Sequence, residues 1–260
     1  LKKSSLTILD KWILAKTHLL IKDAQKSMDL FRVDEFMRSF EAYLEGLSNW
    51  YIRRNRRRFW KSEDDKDKNA AYATLYNVLT HAIKLIGPVL PFVSESIYQN
   101  LVRNSEKEAL ESIHLCDYPK PDESWIDLDL IANVDSLKKL VELGRSARNQ
   151  SNQKIRQPLS KVSFAVENDQ IALFIMNNQD VVLDELNVKS IERITEADQL
   201  ISYRIKPNLR TLGQKYGKGL AEIKILLEQS NPLDLVENIQ SKGEIILKNG
   251  EYSLTRDDIF

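Results

Sequence analysis

The segment NWYIRRNRRRFWK, Asn49 to Lys61, sets five arginines and a lysine among large aromatic side chains with no acid between them. Guanidinium planes bind phosphate oxygens in pairs and stack on nucleobases as aromatic rings do, so this mixture suits a phosphate-rich, base-bearing ligand. Two more stretches are basic and acid-free: RSARNQSNQKIRQPLSK, Arg145 to Lys161, and YRIKPNLRTLGQKYGKG, Tyr203 to Gly219. The whole chain is nonetheless neutral, with 38 Lys and Arg against 38 Asp and Glu. A neutral protein with concentrated basic patches predicts a specific binder of a polyanion rather than an indiscriminate one.

Other chemistries find little support. Cys116 is the single cysteine, so no disulfide forms within the chain, and His18, His81 and His114 stand too far apart for metal-ligand spacing. Paired carboxylates, a Cys/His dyad and a glycine-rich loop between strand and helix are missing, and GQKYGK lacks the spacing of a nucleotide loop. No catalytic residue, metal site or cofactor is therefore predicted. No export leader or long apolar run is visible, which predicts a cytoplasmic protein without a membrane partner, and a start at Leu1 rather than Met predicts a piece of a longer polypeptide. With 42% hydrophobic and 29% charged residues, 260 residues suffice for one large or two modest domains.

Helical spacing of apolar residues predicts helices over about Leu6–Leu30 and Val33–Tyr51, then from Ala71 to Ile86, from Pro91 through Leu101, and from Leu130 through Ala147. KSEDDKDKN, Lys61 to Asn69, is predicted to be a solvated turn. Strands are expected in Leu159–Val166, Leu186–Ile194 and Leu200–Ile205, with a hairpin over Asn249-Gly250 within Gly243–Leu254 and helices at Gln170–Asn177, Gly219–Gln229 and after Asn231-Pro232. The expected architecture is α+β overall: an antiparallel helical bundle over residues 1–127, then a small α+β domain over 128–260.

The arginine segment continues the second helix. At 100° per residue from Leu47, Arg54 and Arg58 prolong the apolar stripe while Arg56 faces away, and Arg53 and Arg57 share the flank of Trp50 with Trp60 beyond. Charge on a buried stripe requires a carboxylate or a phosphate, from this domain or a neighbouring one, so Arg54 and Arg58 are expected to be paired. Arg53, Arg56, Arg57, Trp60 and Lys61 are the candidate RNA contacts, against the plainer possibility of a solvated helix end. Lys154, Arg156 and Lys161 flank a Pro-containing turn that presents them outward, and Arg204, Lys206, Arg210, Lys215 and Lys218, set among tyrosines and glycines, are expected to form a flexible cationic surface.

SNWYIRRNRRRFW closely resembles the signature that opens the anticodon-binding region of isoleucyl-tRNA synthetases, whose usual form has Ser at the position of Asn55. DKWIL (Asp10–Leu14), PVLPFVSESIYQNL (Pro88–Leu101), SIHLCDYP (Ser112–Pro119), KIRQPL (Lys154–Leu159) and DELNVKSI (Asp184–Ile191) are similar to that family's C-terminal half in the same order. KPNLRTLGQKYGK, Lys206–Lys218, resembles the tail of the archaeal/eukaryotic-like branch, which some bacteria carry. The resemblance implies a class I anticodon-binding bundle whose partners are isoleucine tRNA and the catalytic domain of the same polypeptide, with ATP and magnesium used elsewhere in the full-length enzyme. The alternative is a structural module whose basic patches dock acidic surfaces of that catalytic domain.

Overall fold

The computed structural model describes residues 5–61, 65–194 and 205–259. Contacts divide the chain into two units, Leu1–Val162 with Asn168–Ile191, and Ser163–Glu167 with Glu192–Phe260.

In the first unit, α1 (Ile8–Asp29) begins at a capping box: Thr7 Oγ1 accepts from the Asp10 amide, while the Asp10 carboxylate accepts from the Thr7 amide. Trp12, Ile13, Leu14, Ala15 and Ile21 are buried almost all round this helix, which makes it the central element. It packs against α2 (Val33–Gly46), α4 (Asp65–Ile86) and α6 (Leu128–Gln150). The α2 helix widens into a π turn at Leu47–Ile52 and runs on by way of Asn55 into α3 (Arg56–Lys61). Pro91 opens α5 (Pro91–Tyr98), where a missing amide hydrogen costs nothing. Of the solvated turn expected at Lys61–Asn69, Lys61 ends α3 and Asp65 to Asn69 are already helical in α4, where Asp65 and Asp67 face the positive end of the helix dipole, and residues 62–64 lie outside the described residues.

Contacts also group α6 with the preceding helices instead of starting a new unit at Leu128. Its other neighbours are α7 (Asp169–Asn177) and α8 (Gln179–Leu186), the latter a helix that the sequence pattern did not predict. Asn187, in the left-handed conformation at φ 49°, stops α8, so only Ile191–Arg193 of the expected strand Leu186–Ile194 forms β2, paired with β1 (Val162–Phe164). Gly144 lets α6 and α8 approach closely: a Cβ there would lie 2.4 Å from the Leu186 Cδ1.

The second unit contains α9 (Leu209–Tyr216), α10 (Leu220–Gln229), α11 (Pro232–Lys242) and an antiparallel hairpin of β3 (Glu244–Leu247) with β4 (Tyr252–Thr255). Leu212, Ile223, Leu227, Leu235, Ile245, Leu247, Tyr252 and Leu254 form its core, with Ile245 opposite Leu254 and Leu247 opposite Tyr252 in register. Part of the basic stretch expected to be flexible is thus the ordered helix α9. Asn208 caps it through the Arg210 amide, and Leu212 anchors it in the core. The strand expected at Leu200–Ile205 lies, but for Ile205, outside the described residues.

Asp258 closes the second unit. Fully buried, it accepts from Lys215 Nζ at 2.6 Å, from the Thr255 amide at 2.9 Å and from the Thr255 hydroxyl at 3.0 Å. Burial would raise its carboxyl, but these hydrogen bonds outweigh it and hold the group at about 2, against an ordinary 3.8. A carboxyl lowered by folding stabilises the protein above its unfolded value and ceases to do so as pH falls through the folded one. Thermal melts should therefore show Asp258→Asn less stable than wild type at neutral pH, the gap closing as pH drops from 3.8 towards 2. For Gly144→Ala, overpacking of about 1–3 kcal/mol, less about 1 kcal/mol regained in helix propensity, predicts net destabilisation in denaturant titrations.

Candidate nucleic-acid interface

Two buried carboxylates organise the arginine segment, both within the first unit. The first is Asp10, which has no solvent exposure. Arg58 donates to it twice, Nη1 to Oδ1 and Nη2 to Oδ2, both at 3.0 Å, and the Tyr51 hydroxyl donates to Oδ1 at 2.7 Å. Arg58 also pairs with Asp67 at 2.7 Å and donates to Asn55 Oδ1 at 2.9 Å. Burial by itself would raise the Asp10 carboxyl, yet the bonds from Arg58, Tyr51 and Thr7 leave it lowered. Burial, the adjacent Asp10 charge and the bond to Asp10 push the Tyr51 hydroxyl far up, so it stays a donor. Asn55, at the position where the resemblance expects Ser, is buried and holds Arg58 on one side and the Tyr51 carbonyl on the other.

The second carboxylate is Glu185 on α8, 3% exposed. Arg54 Nη1 reaches its Oε1 at 3.2 Å, Arg53 Nη2 reaches Oε2 at 2.7 Å, and Arg145 Nη2 donates to the same Oε2. Arg54 also lies 3.6 Å from Asp184. Both residues expected to need partners, Arg54 and Arg58, thus find carboxylates inside their own unit. Arg53 joins Arg54 at this carboxylate, while Trp50, one turn earlier, meets Lys138 on the same α6 that carries Arg145. Arg53 Nε is tied to the Asn49 carbonyl at 2.8 Å.

Glu185 thereby joins two basic stretches that lie some ninety residues apart in sequence. Arg148, one turn beyond Arg145 on α6, is buried and donates through Nη2 to the Lys154 and Gln157 carbonyls, while its Nε and Nη1 have no partner among the described residues. It shapes the turn that carries Lys154 and Arg156, both exposed, and Asn187 Nδ2 fastens that turn from the other side at the Ile155 carbonyl, 3.0 Å away. Neither Arg148 nor Glu185 was picked out from the sequence. The signal for Arg148 was present, since it continues the stripe of Val134 and Val141 at seven-residue spacing.

The remaining candidates are more dispersed. Arg56, Arg57 and Trp60 are exposed, and the Arg56 guanidinium sits 5.4 Å from the Trp60 ring, a cation–π contact on a ring that is 70% exposed. Lys161 is exposed in the first unit. In the second unit Lys206 lines a hollow of about 520 Å³ with Pro207, Leu209 and Lys224, Arg210 is exposed, and Lys215 is engaged by Asp258. Arg204 and the side chains of Lys61 and Lys218 lie outside the described residues. Among the described residues no His, Cys, Asp and Glu side chains group as metal ligands, and no helix is long and apolar enough to cross a membrane.

Residues 10–163 match a family described as the anticodon-binding domain of tRNA ligase. The chain belongs to this family. It is 40% identical over 242 residues to the isoleucine–tRNA ligase of Clostridium novyi, which covers 92% of this chain and 23% of that protein. The isoleucine–tRNA ligases of Clostridium kluyveri and Treponema denticola are 39% and 37% identical over 244 and 253 residues, covering 94% and 96% of the chain and 23% of each relative. The chain thus spans about a quarter of the length of these relatives. The family match takes in the Asp10 cluster and Arg145, whereas Glu185 lies beyond it.

The two carboxylate clusters imply a graded response to arginine removal. Losing Arg58 strands the fully buried Asp10, a defect of about 3 kcal/mol or more. Arg54→Ala should cost less, because Arg53 and Arg145 still neutralise Glu185. Arg56→Ala, at an exposed position, should stay within about 0.5 kcal/mol. Chemical denaturation of the three variants should give the order Arg58, Arg54, Arg56.

Proposed function

We propose that this chain is the tRNA-binding portion of an isoleucine–tRNA ligase, holding the anticodon arm of isoleucine tRNA while a catalytic portion of the same longer polypeptide joins isoleucine to the tRNA with ATP and magnesium. The single observation that carries this is the set of cations held in the first unit of a chain of the anticodon-binding family: Glu185 gathers Arg53 and Arg145, while Arg148 and Asn187, further along the same two elements, hold the turn that exposes Lys154 and Arg156. Exposed guanidinium and ammonium groups of this set neutralise backbone phosphates, and Trp60, with Arg56 beside it, offers a stacking surface to an unpaired base. The exposed cations of the second unit, Lys206 and Arg210, extend the same chemistry. The cytoplasm, where tRNA is charged, is the matching compartment, and class I architecture fits the helical bundle.

The test is tRNA binding by this chain across a salt series, with Arg57, Lys154 and Arg156 changed to Gln singly and together. Each lost phosphate contact should reduce the slope of log affinity against log salt by about one. In the complete ligase the triple variant should raise the tRNA concentration needed for charging while leaving isoleucine-dependent ATP–pyrophosphate exchange intact. Unchanged slopes and unchanged charging would refute an RNA role for these residues.

A further inference from the structure

Three guanidinium groups on one carboxylate are more positive charge than Glu185 neutralises. Arg54 is largely enclosed, but the side chains of Arg53 and Arg145 remain 47% and 43% exposed while both donate through Nη2 to the same oxygen, Oε2. Arg53 is fixed at a second point, its Nε bond to the Asn49 carbonyl. Two half-exposed guanidiniums are therefore held side by side against their mutual repulsion, with further N–H groups unclaimed by Glu185. Asp184, another acid beside this group, is 67% exposed and 3.6 Å from Arg54, so it offsets the excess only in part.

We propose that Arg53 and Arg145 form a site for one backbone phosphate of the bound tRNA, with Glu185 as its positioning residue. The inference rests on the tRNA-binding reading and adds to it a specific anion site built by a buried acid. Two arginines converging from different helices can each donate to a different oxygen of a tetrahedral phosphate, and prior fixing by Glu185 and Asn49 spares the ligand the cost of ordering them. Glu185 then has an effect opposite in sign to its charge. An acid near an RNA interface ordinarily weakens binding by repulsion, whereas this one strengthens it by holding the donors in place.

The experiment compares Glu185→Gln with Asp184→Asn, which change net charge equally, and with Arg53→Gln/Arg145→Gln, measuring tRNA affinity, its salt slope and the melting temperature of each. Asp184→Asn should leave affinity unchanged or tighten it, while Glu185→Gln should weaken it roughly tenfold in spite of the added positive charge. The double arginine variant should weaken binding and reduce the salt slope by about one, as for a single shared phosphate, and adding Glu185→Gln to it should cause little further loss. Tightening by Glu185→Gln, full additivity, or an unaltered slope in the double arginine variant overturns the site. If Glu185→Gln fails to fold, the double arginine variant decides, since both side chains are half exposed. Salt-dependent binding by wild type with no response in any variant overturns the phosphate site alone, whereas no salt-dependent binding by wild type overturns it together with the tRNA-binding reading.

Discussion

The buried pair of Asp10 and Arg58 is the constraint on which the first unit depends. One carboxylate caps α1, accepts from Tyr51 in the π turn and takes both terminal nitrogens of Arg58 on α3, which in turn pairs with Asp67 at the start of α4. Four helical segments are thus locked to one another through a single buried ion pair. Such a pair contributes little net stability over an apolar replacement, because desolvating both ions is costly, but it tolerates very few alternative arrangements. That intolerance sets the rotation of α3, and so which arginines turn inward and which remain in solvent.

Glu185 extends the same logic towards solvent. Asp10 consumes its arginine, whose terminal nitrogens face the interior; Glu185 anchors arginines that remain half in water. Burial of the acid is ensured by α8 packing on α6, where Gly144 admits Leu186 and the next residues along the two helices, Arg145 and Glu185, meet. Stability and surface charge are coupled here, since the contact that seats α8 also orients the cationic face. Arg148 applies a third version of the device, using backbone carbonyls in place of a carboxylate to shape the turn that carries Lys154 and Arg156.

A neutral net charge conceals this partition. Of the basic stretches, Arg54 and Arg58 are enclosed against their carboxylates, whereas Arg53, Arg145 and Lys215 are paired with carboxylates yet stay half in solvent. Asp10 and Asp258 are both lowered by the hydrogen bonds their buried carboxylates accept. What remains exposed is a smaller, better-defined set of cations. A set of that kind suits a protein that must hold one nucleic acid in one register rather than adhere to any polyanion.

Much of the helical architecture was determined by the sequence alone, because amphipathic spacing, Pro91 at a helix start and Asn-Gly in the hairpin are local signals whose physics acts within a few residues. The need of Arg54 and Arg58 for partners was also legible, as charge on an apolar stripe is costly wherever the helix packs. What only the tertiary structure decided was the identity of those partners: Asp10 is 48 residues from Arg58, and Glu185 is 131 residues from Arg54. The α8 helix escaped notice because it is short and runs directly into a β-like pattern, its end set by the left-handed Asn187. The basic stretch around Leu212 suggested a flexible surface because its glycines and cations outweigh its few aliphatic residues in sequence, yet burial of Leu212 with a capping Asn208 suffices to order a helix. Local propensity reaches along the chain only as far as a helical turn, while pairing of a buried charge depends on which carboxylate packing brings within about 3 Å.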